Sequence, residues 1–90
     1  MGARIRMHPL LQDLANGKES IEVNGETVGK CLADLVKQYP EIHENIFDSR
    51  GNLLKHVEIF INGKPASPKE LTMPVRDGDE LSILMLLSGG

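Results

Sequence analysis

Four separate stretches of the chain have the apolar pattern of a strand. Apolar and polar residues alternate with a period of two in residues 4–8 and 20–23, and residues 57–61 and 80–87 are richer in apolar residues. Such alternation is typical of a strand that buries one of its faces. The turn dipeptides Asn24-Gly25 and Asn62-Gly63 follow the second and third stretches, and Asp77-Gly78 precedes the fourth. The pattern therefore predicts four strands bounded by tight turns.

A different period marks one long helix in the middle of the chain. Apolar residues recur there at helical spacing, namely Val28, Cys31, Leu32, Leu35, Val36 and Tyr39. Thr27 is a suitable N-cap just before them, and Pro40 ends the pattern. Shorter apolar groups predict a helical turn at residues 10–14 and a second short helix at residues 42–47. The long helix is the element that must cover the sheet.

The order of elements is strand, strand, long helix, strand, strand. A strand, helix and strand in succession predict a parallel, right-handed crossover. The expected fold class is α+β, a ubiquitin-like β-grasp in which a mixed sheet of four to five strands packs on one main helix. We expect residues 1–86 to form this domain and residues 87–90 to form a flexible tail.

Composition narrows the function classes. The chain has 90 residues, a net charge of -3 and a pI near 5.5, which argue against nucleic-acid binding. A single cysteine, Cys31, excludes an intramolecular disulfide, and its place on the apolar helix face predicts an inert buried thiol. His8, His43 and His56 lie far apart, so no metal site is expected. With no apolar leader or membrane span, we expect a cytoplasmic protein that is a monomer when free.

The last predicted strand carries more apolar residues than one buried face needs. If Leu81 and Ile83 point at the helix, then Leu84 and Leu86 point away from it, and Phe60 does so on the neighbouring strand. We call Phe60, Leu84 and Leu86 the outer patch. Exposed apolar patches on small proteins are usually interaction sites. The alternative is that residues 41–55 fold back over this face, and a register slip of one residue would exchange the two faces.

The chain then ends in Leu87, Ser88, Gly89 and Gly90. Glycine has no Cβ, so a terminal diglycine supplies a flexible, unhindered acyl group. Such a tail can enter a narrow channel and present its carboxylate to the active site of another protein. We therefore expect Gly90 to be the site of covalent attachment, with the other three residues as the tail that delivers it.

The sequence resembles the ThiS/MoaD family of ubiquitin-like sulfur carriers over essentially its full length. The segments that carry the resemblance are Arg4-Ile5-Arg6-Met7, Thr27-Val28 with Tyr39-Pro40, Ile61-Asn62-Gly63, Asp77-Gly78-Asp79-Glu80-Leu81 and Gly89-Gly90. The combination of the DGDE turn with a terminal diglycine at this spacing is more specific than either motif alone. The length of the chain is similar to that of the longer carriers, including those that supply sulfur for cysteine biosynthesis.

The resemblance implies a covalent carrier and not an enzyme. In this family an E1-like adenylating enzyme uses ATP to activate the terminal carboxylate, which becomes a thiocarboxylate. Its sulfur then passes to a sulfur-accepting biosynthetic enzyme. The chain itself would bind no cofactor and supply no catalytic residue.

Three alternatives remain open from the sequence. One is a protein modifier that is joined through Gly90 to lysines, as ubiquitin is, and another is the small subunit of molybdopterin synthase. The latter commonly has two prolines before its last four residues, whereas this chain has Leu84-Met85-Leu86 there. The third alternative is a β-grasp adaptor in which the tail is incidental.

Overall fold

A computed structural model describes residues 2–67 and 69–86 of the chain. Its five strands form one sheet in the order β2-β1-β5-β3-β4. The strands are β1 (Ala3–Arg6), β2 (Ser20–Val23), β3 (Val57–Ile61), β4 (Lys64–Pro65) and β5 (Glu80–Met85). The helices are α1 (Pro9–Gln12), α2 (Val28–Gln38) and α3 (His43–Ile46), with 3₁₀ turns at Asp13–Ala15, Pro40–Ile42 and Glu70–Thr72. The four strands expected from the sequence are all present, and β4 is an addition to them.

The sheet is mixed, as expected. The central strands β1 and β5 run parallel, with Ile5 beside Leu81. The other neighbours pair antiparallel. It follows from these pairings that β2 and β3, which α2 connects, point in the same direction. The predicted parallel sense of the crossover and the α+β β-grasp architecture are both confirmed.

The helix α2 forms where its sequence pattern predicts. The Thr27 side chain accepts a hydrogen bond from the Lys30 amide at 3.2 Å and so caps the first turn. Four residues of the apolar face are fully buried, Val28, Cys31, Leu32 and Leu35. Val36 and Tyr39 are half-buried and pack against the same core. These side chains meet the inward-facing residues of the sheet, among them Ile5, Ile59, Leu81 and Ile83.

Residues 40–47 lie on the helix side of the sheet. Ile42 and Ile46 are fully buried in the core, and the Pro40–Ile42 turn contacts α2. Phe47 and Leu53 pair in an isolated bridge and also pack against the core. The alternative that residues 41–55 cover the outer face is therefore wrong for the described part of the chain, because their apolar side chains complete the inner core.

The exposed edge of β2 is closed by side chains from α2. The Gln38 side-chain amide donates to the Glu22 backbone carbonyl at 3.0 Å. The Asp34 carboxylate accepts a hydrogen bond from the Asn24 backbone N–H at 2.9 Å. These are the backbone groups through which another strand would pair with this edge. The caps therefore oppose strand addition at β2. Among the described residues, no helix has both the length and the apolar character needed to cross a membrane.

Candidate functional site: the outer patch and the root of the tail

The strand β5 separates its apolar residues between two faces. Leu81 and Ile83 are fully buried against the helix layer, whereas Leu84 is 39% exposed and Leu86 is 52% exposed. The register with β3 fixes this arrangement, because Ile59 pairs with Ile83 and Glu58 pairs with Leu84. The structure thus gives the two leucines the outward orientation expected from the sequence. Their role in binding a partner stays a prediction.

Phe60 lies on the same outer face but is only half-buried. It pairs with Ser82 on β5 and with Pro65 on β4, so it sits one diagonal step from Leu84. The sequence does not predict Pro65 as a strand residue, because proline lacks the backbone N–H that a strand interior needs. The outer patch therefore consists of two well-exposed leucines beside a partly covered aromatic ring.

Charged residues surround the outer patch. Glu58 stands opposite Leu84, and on the far side of β5 the exposed Arg6 approaches Glu80 with an N–O distance of 3.8 Å. An exposed pair of this kind contributes little to stability. Both groups therefore remain accessible to a partner, and the face has the apolar centre and polar rim that protein interfaces commonly show.

One exposed apolar residue near the site was missed from the sequence. Leu10, in α1, is 54% exposed. Because β1 runs parallel to β5, α1 begins at the same end of the sheet as the root of the tail. The sequence placed Leu10 in a helical turn with Leu11, but periodicity over four residues cannot show which leucine faces the core. Leu11 is the buried one. Leu10 is a further candidate for contact with a partner.

The two turn motifs of the sequence meet at the opposite end of β5. The Asn62 side chain donates to Asp79 at 3.0 Å and accepts from the Glu80 amide at 2.9 Å. The backbone N–H of Asn62 donates to the Glu80 backbone carbonyl at 2.8 Å. The second Asp79 oxygen accepts from the Arg76 amide at 2.9 Å. This network ties the β3–β4 hairpin to the start of β5.

The same network predicts an acid-dependent contribution of Asp79 to stability. The hydrogen bond from the Arg76 amide, with a second from Asn62, lowers the pKa of Asp79 below its ordinary value of 3.8. A lowered pKa in the folded state means that the contribution is present above pH 3.8 and is lost as the pH falls through the lowered value. The free energy of unfolding of Asp79→Asn should therefore be lower than the parent value at pH 7. This difference should be smaller at pH 3.

Urea unfolding at the two pH values measures this difference, with Asp77→Asn on the same turn as the control for removal of one charge. A difference for Asp79→Asn that is as large at pH 3 as at pH 7 would contradict the assignment.

The remaining sequence candidates stay outside the site. Cys31 is fully buried, and burial, with the charges of Asp34 and Asp79, raises the pKa of its thiol. Its Sγ lies 3.6 Å from the Gly25 carbonyl oxygen. The structure accordingly places Cys31 as a core residue, where a thiol with a raised pKa is unreactive. Within residues 2–67 and 69–86, no group of three or more histidine, cysteine or acidic side chains is placed to hold a metal ion.

The last described residue of the chain is held beside the start of β3. The Leu86 amide donates to the His56 carbonyl at 2.6 Å, one residue beyond the end of β5. The expected tail residues Leu87, Ser88, Gly89 and Gly90 lie outside the described residues. Gly90 as the attachment site therefore stays a prediction, as does the division into a domain and a tail. What the structure gives is an outer patch that extends to Leu86, the last described residue.

Comparison with known proteins identifies relatives for the whole chain. The sulfur carrier protein CysO of Mycobacterium tuberculosis is 29% identical over 93 residues, which cover 100% of both chains. Its crystal structure matches with a TM-score of 0.86 at 27% identity, covering 94% of this chain and 99% of that one. A crystal structure of the BexX/CysO complex of Amycolatopsis orientalis shares the fold with a TM-score of 0.88 at 24% identity, covering 98% and 99%.

A second kind of relative is a modifier protein. Small archaeal modifier protein 1 of Haloferax volcanii is 35% identical over 71 residues, or 78% of each chain. A crystal structure of that modifier matches with a TM-score of 0.82 at 29% identity over 100% of both chains. Neither named relative is an enzyme, which agrees with the expectation for this chain. The ThiS family model matches residues 10–90, and the chain therefore belongs to the ThiS family, as a sulfur carrier or a ubiquitin-like modifier.

Proposed function

We propose that this chain carries sulfur as a thiocarboxylate on Gly90. The observation that supports the proposal most directly is the continuity between the outer patch and the tail. Leu84 on β5 and Leu86 just after β5 are exposed, and four further residues of the sequence lead to the end of Gly89-Gly90. A partner that binds the outer patch therefore also receives the terminal carboxylate. The full-length likeness to the sulfur carrier protein CysO favours sulfur as the cargo.

The proposed chemistry needs activation by a partner. A carboxylate is a poor electrophile, because its negative charge repels an incoming nucleophile and it has no good leaving group. An E1-like adenylating enzyme would use ATP to join the Gly90 carboxylate to AMP, with release of pyrophosphate. A hydrosulfide ion then attacks the carbonyl carbon, a C–S bond forms and the C–O bond to AMP breaks. AMP leaves, and loss of the S–H proton to solvent gives the thiocarboxylate. Glycine suits this attack because no side chain crowds the carbonyl.

The body of the protein serves to position the tail in this scheme. The hydrogen bond from Leu86 to His56 holds the last described residue against β3, and the core fixes the direction of β5. A short tail that follows a rigid strand would keep the carboxylate within a limited distance of the docking surface. The acceptor would be a biosynthetic enzyme that binds the same surface and takes the sulfur.

The second candidate function is a protein modifier joined through Gly90 to lysines. The likeness to small archaeal modifier protein 1 favours it, and the two functions share the adenylation step. They differ in the nucleophile that displaces AMP, which is sulfur in one case and an amine of another protein in the other.

The test is the intact mass of the chain isolated from its own cells. The proposal expects a species in which one terminal oxygen is replaced by sulfur, localised to the C-terminal peptide. Adducts on lysines of other proteins, without any sulfur species, would instead support the modifier. A tight equimolar complex with a larger protein, again without sulfur on free chain, would support the alternative of a synthase subunit.

A further inference from the structure

A groove lies beside the first residue of β3, apart from the outer patch. Val57, which is buried, forms its base, and residues 52–55 and 69–72 form its two walls. No residue of the outer patch lines it. Val57 pairs with Met85, one residue before Leu86, so the groove lies at the end of the sheet where the described chain ends. The groove is thus a further accessible surface at this end of the molecule.

Backbone contacts hold the first wall in place. The Leu54 N–H donates to the Ile46 carbonyl at 3.0 Å, and the Val57 N–H donates to the Leu54 carbonyl at 3.0 Å. Leu53 forms an isolated bridge with Phe47. The wall is therefore fixed to α3 on one side and to the start of β3 on the other.

The second wall is held against α2. It contains the Glu70–Thr72 turn, and directly after that turn the Met73 carbonyl accepts from the Val28 N–H at 2.9 Å. Gly29 permits this close approach, because a Cβ at that position would lie 2.8 Å from the Leu71 carbonyl oxygen. With both walls fixed by the fold, the groove is preformed, and a ligand that enters it has little of the protein to order.

The edge of β3 is open at the base of the groove. β4 pairs with β3 only at Phe60 and Ile61, and among the described residues no strand lies beside Val57 on that side. The N–H and C=O of one strand residue point to the same side. Since the Val57 N–H points to Leu54 in the wall, its carbonyl also faces this edge. Extended peptides bind to sheet edges through such backbone groups.

The walls present apolar side chains to the groove. Three leucines in the lining are half-buried and pack against the core, namely Leu53, Leu54 and Leu71. Each keeps part of its side chain accessible. Pockets with such linings bind apolar groups, and a few polar groups then fix the orientation of the ligand.

The charged residues in the lining are mainly basic. Lys55 stands on one wall and Lys69 on the other, and both are exposed. Glu70 is the acidic residue in the lining and is half-buried. Within residues 2–67 and 69–86 the one ion pair joins Arg6 to Glu80, so Glu70 does not pair with either lysine. The groove therefore offers two ammonium groups in a chain whose net charge is -3.

We propose that this groove binds an extended, acidic segment of a partner protein that has apolar residues between its carboxylates. The leucines contact the apolar side chains, Lys55 and Lys69 attract the carboxylates, and the Val57 carbonyl accepts a hydrogen bond from the peptide backbone. Nucleic acid fits less well, because two lysines in an acidic chain do not make a basic face. The inference goes beyond the proposed function, since this binding needs no activation of Gly90.

The experiment is an NMR titration of the ¹⁵N-labelled full chain with the blocked peptide acetyl-DDVIVDD-amide. We expect saturable shifts of the amide signals of residues 53–57 and 69–72. The charge-reversed peptide acetyl-KKVIVKK-amide and the peptide without apolar residues, acetyl-DDSGSDD-amide, should each bind at least about tenfold more weakly. Sulfur loading of Gly90 is measured separately, so this proposal and the carrier proposal can fail independently.

The matched variants reverse the charge of lysines at opposite ends of β3. The double variant Lys55→Glu with Lys69→Glu should bind the acidic peptide at least about tenfold more weakly, and Lys64→Glu should bind it like the parent. Thermal unfolding checks that both variants remain folded. The proposal is overturned if the acidic peptide gives no saturable shifts, if the shifts fall on Phe60 and Leu84 in the outer patch, or if the double variant binds like the parent.

Discussion

Deletion of Gly89 and Gly90 is expected to abolish loading by the activating enzyme, while the free energy of unfolding changes by less than about 0.5 kcal/mol. The two glycines lie beyond the last hydrogen bond that holds the described chain, from Leu86 to His56. Without them the carboxylate is shorter in reach by two residues and is carried by Ser88. The reaction centre is lost and the core is untouched.

Three measurements check this expectation. ATP–pyrophosphate exchange reports adenylation, intact mass reports the sulfur species, and urea unfolding reports stability. Gly90→Ala should also prevent loading, because a methyl group then crowds the carbonyl carbon. Lys30→Ala, on the exposed side of α2, is the control and should load like the parent. Normal exchange by the truncated chain would show that the tail is incidental and would support the adaptor alternative.

The second large effect distinguishes the two faces of β5. Leu84 is 39% exposed and Ile83 is buried, although they are adjacent in sequence. Leu84→Asp should weaken binding to the activating enzyme at least about tenfold, because it places a charge in the middle of an apolar interface. Its free energy of unfolding should change by less than about 1 kcal/mol. Ile83→Ala should instead cost about 2–5 kcal/mol of stability through a core cavity, with near-normal binding by the folded fraction.

Binding is measured by titration against the activating enzyme, and stability by urea unfolding of each variant. If Leu84→Asp unfolds the protein and Ile83→Ala leaves it stable, the assigned faces are reversed. Phe60→Asp is a less clean probe, because its half-buried ring contributes to stability as well as to the outer patch. Leu10→Asp extends the test to the residue that the sequence missed.

Much of this fold follows from local patterns. Apolar residues recur at helical spacing over three turns of α2. The sequence alone therefore assigns Val28, Cys31, Leu32 and Leu35 to the core. The outward orientation of Leu84 and Leu86 followed from alternation along β5, once Leu81 and Ile83 were assigned to the helix side.

Other features depend on contacts that periodicity does not encode. The Asn62–Asp79 hydrogen bond joins residues 17 apart, and its existence depends on the pairing of β3 with β5. The same is true of Gln38 at the edge of β2, 16 residues from its partner Glu22. The short segment at Ile42 and Ile46 has too few residues to define a face, so only the tertiary structure shows that it completes the inner core.

The position of Leu86 affects the order in which partner proteins can bind. The outer patch lies beside the point where the tail leaves the sheet. A protein that binds the outer patch would therefore also enclose the tail. Under the proposed carrier function, the activating enzyme and the sulfur acceptor would therefore bind the outer patch one after the other. Each transfer would then require complete dissociation of the previous partner, so fast dissociation would matter more than tight binding.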